Sequence, residues 1–254
     1  MPINQSYCWP MLRSDDVPLE HQIAATAEMG YAAIEVWGRD GCPFDEILKL
    51  SAKHGLRVAS FGGGGGWNDP ANHDQLEVTC KENIAIAADN NVPGLILISG
   101  NRKGMDDLIG MRNCVEGIKR VVECAEAKGV NLNMELLNSK VDHLDYMCDR
   151  TEWAVTLCDL VGSPRARILY DIYHMGIQEG NVIATIRKYG KYIGHYHTAG
   201  VPGRRDMDDE QELYYPAIMR AILETGYDLF VGHEFRPKGE LLPALKAAFD
   251  TCNV

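Results

Sequence analysis

Short runs of apolar and β-branched residues alternate along the whole chain with longer stretches of helical periodicity. This alternation is typical of repeated βα units around a parallel sheet. Eight runs have the length and composition of strands: Ile3–Cys8, Ala32–Trp37, Arg57–Phe61, Leu95–Ser99, Asn131–Leu136, Arg167–Ile172, Ile193–His197 and Leu229–Phe235. Eight is the strand number of a (β/α)8 TIM barrel, so the pattern predicts an α/β fold of that kind.

The stretches between these runs place apolar residues on one helical face. The clearest are Leu19–Met29, Leu76–Asp89, Leu108–Lys128, Glu152–Leu160, Val182–Tyr189 and Tyr215–Glu224. Glycines at Gly30, Gly55, Gly129 and Gly226 stand where helix ends favour the left-handed conformation. We expect a helix to end at each of these four positions.

One domain over residues 1–254 is expected, because no linker or low-complexity block interrupts the alternation. A hydrophobic content of 46% is sufficient for the core of one barrel. A dinucleotide-binding sheet would carry a glycine-rich turn after its first strand, where this chain has Cys8, Trp9 and Pro10. The five glycines Gly62–Gly66 could hold an anion, but their composition favours a mobile loop or lid, and we assign them no ligand.

The charge balance limits the partners. A net charge of −11 and a pI near 5.2 argue against nucleic acid. No apolar run approaches the roughly 18 residues of a membrane span, and the first residues lack a basic segment followed by an apolar one. We therefore expect a cytoplasmic protein. Its eight cysteines include no CxxC pair, so we expect reduced thiols.

Four acidic or imidazole residues lie near the ends of the last four predicted strands. They are Glu135, Asp171, His197 and Glu234, at intervals of 36, 26 and 37 positions. One βα unit takes about 31 residues in a 250-residue barrel, so adjacent strands would place all four at one mouth. Singly, each could begin a loop or cap a helix. Their matching positions favour a shared site.

Carboxylates in buried strands are costly unless they are paired or bind a metal. Three carboxylates and one imidazole form an oxygen-rich ligand set that suits Mg²⁺, Mn²⁺ or Co²⁺ better than Zn²⁺. The sequence therefore predicts one divalent metal ion bound by Glu135, Asp171, His197 and Glu234, with manganese or magnesium preferred.

Strand alternation separates the neighbouring polar residues. His195 shares the inward face of His197 one layer deeper, and His233 points to the opposite face, against a helix. Asn131 and Asn133 share the face of Glu135 and predict a polar barrel interior, with a supporting role next to the ligands. Tryptophans Trp9 and Trp67 follow strands at the same mouth, where they either wall the pocket or pack; neither is assigned a catalytic role.

The C-terminal motifs resemble those of the sugar isomerase/epimerase superfamily of xylose isomerase-like TIM barrels, and within it the hydroxypyruvate isomerase family. The most specific motif is GHYHTAGVPGRRDMDDEQELYYPAIMRAI at Gly194–Ile222. VGHEFRP follows at Val231–Pro237, and MELLN and YDIYHM contain Glu135 and Asp171. The resemblance covers nearly the whole chain.

This resemblance implies an isomerase in which Glu135 and Glu234 bind metal and form the acid/base pair, while Asp171 and His197 complete the coordination. It also implies substrate contacts by His174 and Arg204. The reaction would interconvert hydroxypyruvate and tartronate semialdehyde by proton transfer through an enediolate. Arg204 would bind the substrate carboxylate, with Arg205 as a competitor in the same charged loop.

Other functions remain open at this point. His197 stands where hydroxypyruvate isomerases often carry Gln and ketose epimerases carry His, so a ketose or keto-sugar epimerase is the first alternative. A DNA-repair endonuclease would need further metal ligands and a basic surface. A non-catalytic sugar-binding barrel would not need paired carboxylates on a metal. A small-molecule substrate is expected, and a homo-oligomer is allowed.

Overall fold

A single sheet of nine parallel strands runs through residues 2–254, which are the residues described by the computed structural model. The strands are β1 (Asn4–Cys8), β2 (Ala33–Glu35), β3 (Arg57–Val58), β4 (Ser60–Gly65), β5 (Gly94–Ile98), β6 (Asn131–Glu135), β7 (Ala166–Asp171), β8 (Ile193–Thr198) and β9 (Phe230–His233). Their order is β3-β2-β1-β9-β8-β7-β6-β5-β4.

Strands β3 and β4 are two parts of one barrel strand, separated only by Ala59. β3 pairs with β2, and β4 pairs with β5, so the two parts join the ends of the sheet. The Ala59 amide donates to the Ile34 carbonyl at 2.8 Å, and the Val36 amide donates to the Ser60 carbonyl at 3.3 Å. The sheet therefore closes as a barrel of eight strands, and the predicted (β/α)8 fold is confirmed.

Ten α-helices lie between or after these strands within residues 2–254. They are α1 (Leu19–Met29), α2 (Phe44–His54), α3 (His73–Asp89), α4 (Asp107–Lys119), α5 (Val122–Lys128), α6 (Thr151–Val161), α7 (Ile172–Gln178), α8 (Val182–Tyr189), α9 (Tyr215–Glu224) and α10 (Leu241–Cys252). Three of them, α1, α8 and α9, have the predicted bounds. Gly30, Gly55, Gly129 and Gly226 all have positive φ, as expected.

The predicted helix Leu108–Lys128 was wrong in one respect, because the chain forms two helices there. Between α4 and α5 the amides of Arg120 and Val121 donate to carbonyls three residues back, rather than four. This tighter turn interrupts the helix, although the apolar pattern continues through it.

Four of the five glycines Gly62–Gly66 do not form the predicted loop, because Gly62–Gly65 belong to β4, in which Gly62, Gly64 and Gly65 pair with β5. Close packing explains the composition. A Cβ at Gly64 would lie 2.7 Å from Cδ2 of Leu76, and its φ is +110°. This barrel strand therefore needs glycine for space and backbone conformation, and not for mobility.

Strand β7 ends at Asp171, and the chain passes directly into α7. The Asp171 carboxylate accepts a hydrogen bond from the His174 amide at 3.1 Å, which caps the helix. Ile172, predicted as the end of the strand, is the first residue of this helix. The short connection fixes Asp171 at the C-terminal mouth of the barrel.

All eight cysteines are free thiols, as expected. Within residues 2–254, no helix combines the length and apolar character that a membrane crossing requires.

Candidate metal centre

The four predicted ligands come together at the C-terminal mouth of the barrel. Glu135 and Asp171 are the last residues of β6 and β7, His197 lies in β8, and Glu234 directly follows β9. All four are buried, and one ligand atom from each lies within 4.8 Å of the others. Register explains part of this proximity, because Asp171 pairs with His197 across β7 and β8.

The imidazole of His197 lies between three carboxylates on its Nδ1 side and one carboxylate on its Nε2 side. Its Nδ1 is 3.0 Å from Oε2 of Glu234, 3.6 Å from Oε1 of Glu135 and 4.0 Å from Oδ2 of Asp171. Its Nε2 is 3.1 Å from Oε2 of Glu35 on β2. The Nδ1 atom is buried and has no hydrogen bond of good geometry, although it faces three carboxylates.

Burial and neighbouring charges shift the pKa values of all four residues of the cluster. Burial and the charge of Glu234 raise the pKa of Glu135. Burial also raises the pKa of Asp171, despite the nearby Arg204. For Glu234, burial is outweighed by Arg204 and His197, which hold its pKa well below the ordinary range. Burial alone would lower the pKa of His197, but the negative charge of Glu234 outweighs burial, so the pKa is raised.

This arrangement fits a divalent metal ion. The observation that tests the fit is the buried Nδ1 of His197, an imidazole nitrogen without a proper hydrogen-bond partner, aimed at three carboxylate oxygens. A dication would compensate carboxylates that otherwise repel one another in a desolvated site. The cluster Glu135, Asp171, His197 and Glu234 could thus hold a metal, and its oxygen-rich composition favours a hard ion.

Arg204 contributes the positive charge nearest to the cluster. Its Nη2 forms an ion pair with Oε2 of Glu234 and lies 3.6 Å from Oδ2 of Asp171. Its guanidinium also lies over the ring of Tyr173, 5.6 Å from the centroid. Arg205, the predicted competitor, donates instead to the carbonyl of Pro237 at 3.2 Å.

His174 is fully buried beside the same cluster. The Asn138 amide lies 2.7 Å from its Nδ1, and its Nε2 is 3.7 Å from Oδ2 of Asp171 without a hydrogen-bond partner. Burial, with repulsion from Arg204, lowers the pKa of His174 to about 3. The ring is therefore neutral, and with the amide donating to Nδ1, its Nε2 carries an unused proton.

A cavity of about 440 Å³ opens onto the carboxylates. Its polar lining includes Glu135, Glu234, Arg204 and His143, and its walls are apolar or glycine: Trp37, Gly62, Gly64, Gly65, Ile96, Ile98 and Leu137. A second cavity of about 590 Å³ shares His143 and Arg204 with the first. The size and lining suit a small polar molecule.

Three residues of the centre were missed by the sequence analysis. Glu35 lies buried behind His197. The indole Nε1 of Trp37 donates to Oε1 of Glu234 at 2.6 Å, and the Cys8 thiol donates to the same oxygen at 3.6 Å. Glu35 carried a usable signal, because it is an acidic residue inside a predicted strand. Trp9 and Trp67, which were considered as walls, line neither of the two cavities at the mouth.

The neighbouring polar residues follow strand alternation. His195 is an interior residue, with Nε2 2.7 Å from Glu35 Oε2. His233 lies on the other face, where its Nε2 is 2.8 Å from Oε1 of Gln5 and its ring contacts Tyr31 beyond α1. The faces of both residues agree with the predictions, whereas the contacts of His233 described here are with Gln5 and Tyr31 and not with a helix.

Asn131 and Asn133 are buried in the barrel, as the predicted polar interior requires. The hydrogen bonds described for these two residues do not include the expected supporting contact. Oδ1 of Asn131 accepts from Arg165 at 3.1 Å, and Oδ1 of Asn133 has no partner. Neither side chain forms a hydrogen bond to the four ligands, because both lie farther down the strand.

Comparison with known proteins gives consistent results. A family model described as xylose isomerase-like TIM barrel matches residues 23–253. A human protein named "Putative hydroxypyruvate isomerase" is 24% identical, over 95% of this chain and 91% of its own. The 2-oxo-tetronate isomerase of Pectobacterium atrosepticum is 25% identical, over 89% of both chains.

A crystal structure of an AP endonuclease, family 2, from Brucella melitensis is also similar. It superposes with a TM-score of 0.88 and 22% identity, and the match covers 100% of both chains. At this identity the similarity establishes the shared fold alone.

Proposed function

Because the chain belongs to the xylose isomerase-like TIM barrel family, we propose that it is a metal-dependent isomerase that interconverts hydroxypyruvate and tartronate semialdehyde. The observation that carries this proposal is a pair of buried glutamates, Glu135 and Glu234, which line one cavity from the C-terminal ends of different strands. The names of two relatives, a hydroxypyruvate isomerase and a 2-oxo-tetronate isomerase, support the same reaction type.

Glu135, Asp171, His197 and Glu234 would hold one Mn²⁺ or Mg²⁺ ion. When bound, such an ion polarises a substrate carbonyl and lowers the barrier to removing the proton on the adjacent carbon. Hard oxygen ligands from three of these residues favour the two ions over Zn²⁺.

Glu135 and Glu234 would transfer the proton. The isomerisation moves a proton between neighbouring carbons, through an enediolate, so one carboxylate must remove it while a proton is returned to the other carbon. Both side chains line the same cavity, and their ligand atoms lie within 4.8 Å of each other. Trp37 holds Oε1 of Glu234 by a hydrogen bond and orients this carboxylate.

Arg204 and His174 would bind the substrate. Arg204 lines both cavities, and its planar guanidinium suits a substrate carboxylate. Arg205 lines neither cavity, which favours Arg204. His174 lines neither cavity, so its proposed substrate contact rests on the family resemblance and on the unused Nε2 proton that lies beside Asp171.

A substrate panel tests the proposal. With Mn²⁺ or Mg²⁺ present, purified protein should convert hydroxypyruvate with a higher kcat/KM than free ketoses, because Arg204 can neutralise a carboxylate that ketoses lack. Products are identified by nuclear magnetic resonance. Ketose epimerisation without hydroxypyruvate turnover would contradict the proposal and favour the epimerase alternative.

Two arginine variants provide the control. Arg204→Met should lower kcat/KM for hydroxypyruvate more than for any ketose that is turned over, and Arg205→Met should leave the ratio unchanged. Comparing substrates within one variant removes effects of Arg204 on Glu234.

A further inference from the structure

Glu35 is a buried carboxylate that the proposed proton transfer does not use. It is the last residue of β2 and has no solvent exposure. Its Oε2 is 2.7 Å from Nε2 of His195 and 3.1 Å from Nε2 of His197. Its Oε1 accepts a hydrogen bond from the Ser6 hydroxyl at 3.0 Å. Three donors thus converge on one carboxylate behind the candidate metal centre.

The barrel leaves space for this carboxylate at a specific position. Gly232 on β9 pairs with His197 on β8, and a Cβ at Gly232 would overlap Oε1 of Glu35. Any side chain at position 232 would therefore displace the carboxylate from the two rings. Strand β9, which is separated from β2 by β1, accommodates Glu35 by lacking a side chain at this point.

The contact determines which nitrogen of His197 carries a proton. An ionised carboxylate can only accept hydrogen bonds, so both Nε2 atoms facing Glu35 must be donors. In a neutral His197 ring, the lone pair is consequently on Nδ1, which faces Glu135, Asp171 and Glu234.

We propose that Glu35 is the positioning residue of the metal centre: through its hydrogen bond to Nε2, it fixes the His197 ring with the Nδ1 lone pair toward the ion. This inference rests on the metal centre of the proposed function. Histidine ligands generally need such a partner on the second nitrogen, and removing it typically weakens metal binding about 10- to 100-fold.

The principal test is Mn²⁺ affinity, measured by the electron paramagnetic resonance signal of free Mn²⁺. Glu35→Gln should raise the Mn²⁺ dissociation constant about 10- to 100-fold, because one neutral amide cannot accept from both rings with the strength of a carboxylate. Circular dichroism establishes that each variant is folded.

Gln5→Met is the matched control. Gln5 is also the hydrogen-bond acceptor of a buried histidine, because its Oε1 faces Nε2 of His233 at 2.8 Å. That pair lies on the outer face of the barrel. Gln5→Met should lower the melting temperature without changing the Mn²⁺ dissociation constant, which separates loss of a core hydrogen bond from loss of ring orientation.

A double-mutant cycle tests whether Glu35 acts through His197. In a His197→Gln background there is no ring to orient, so Glu35→Gln should change Mn²⁺ affinity by less than about threefold. An undiminished effect of Glu35→Gln in that background would contradict a role through the ring.

One measurement does not depend on a variant that folds. In wild-type protein labelled with ¹⁵N-histidine and loaded with Mg²⁺, Nε2 of His197 should carry the proton and Nδ1 should not. The reverse tautomer would overturn the inference. If the wild type binds Mn²⁺ and folded Glu35→Gln binds it with an unchanged dissociation constant, the role of Glu35 is overturned, but the metal centre is not. Wild-type protein that binds neither ion would overturn the metal centre, and the inference with it.

Discussion

Glu135→Gln should reduce isomerase turnover by at least about 100-fold while the barrel remains folded, because the amide cannot accept the substrate proton. Glutamine preserves the volume of the side chain and one oxygen that can face the ion. The same loss is expected for Glu234→Gln. The measurement is kcat with hydroxypyruvate, with Mn²⁺ raised until turnover no longer increases, so that weaker metal binding does not determine the result.

An exposed glutamate on α4 provides the control for these two variants. Glu116 has 59% side-chain exposure and an ion-pair distance of 3.7 Å to Arg112. Glu116→Gln should keep full turnover. Near-wild-type kcat in Glu135→Gln or Glu234→Gln would show that the side chain concerned does not transfer the proton, and would remove it from the proposed acid/base pair.

Asp171→Asn should abolish most of the stabilisation that the protein gains from metal. A ligand present at 100 times its dissociation constant stabilises the native state by about 2.7 kcal/mol. At that Mn²⁺ concentration for the wild type, the variant should gain less than about 1 kcal/mol, because the neutral amide replaces an anionic ligand. Urea unfolding with and without Mn²⁺ measures both values.

The same substitution should not destabilise the metal-free protein. Asp171 is fully buried among carboxylates, and burial together with Glu234 raises its pKa, which means that its charge is unfavourable there. Asparagine removes the charge and can still accept the hydrogen bond from the His174 amide. The free energy of unfolding without metal should therefore equal or exceed that of the wild type.

Asp106→Asn is the matched control, because Asp106 caps α4 by accepting from the Leu108 amide at 2.9 Å and is not one of the four ligands. It should keep the full stabilisation by Mn²⁺. If Asp171→Asn also kept it, Asp171 would not be a metal ligand.

The barrel was predictable because strand and helix periods are local properties of the sequence. Asp171 and Glu234 could also be identified from the sequence, because an acidic residue at the end of a buried strand is conspicuous wherever its partners lie. The site predicted from these positions has the expected proximity.

Features that depend on residues far apart in the chain were harder to predict from the sequence. Glu35 is 160 positions from His195, and the sequence does not specify that both rings meet its carboxylate. The composition of Gly62–Gly66 is compatible with a flexible loop. In the structure, glycine is required because side chains such as Leu76 crowd β4. Trp37 lies at the end of a predicted strand, and only the closed barrel brings its indole to Glu234.

Removal of the metal tests the central claim most directly. Protein dialysed against a chelator, with metal content determined by elemental analysis, is assayed with hydroxypyruvate before and after addition of Mn²⁺ or Mg²⁺. We expect turnover to fall at least about 100-fold and to return when either ion is added, since an ion held by the four ligands would supply the polarisation of the substrate carbonyl that proton removal requires. Unchanged turnover in fully metal-free protein would contradict the account.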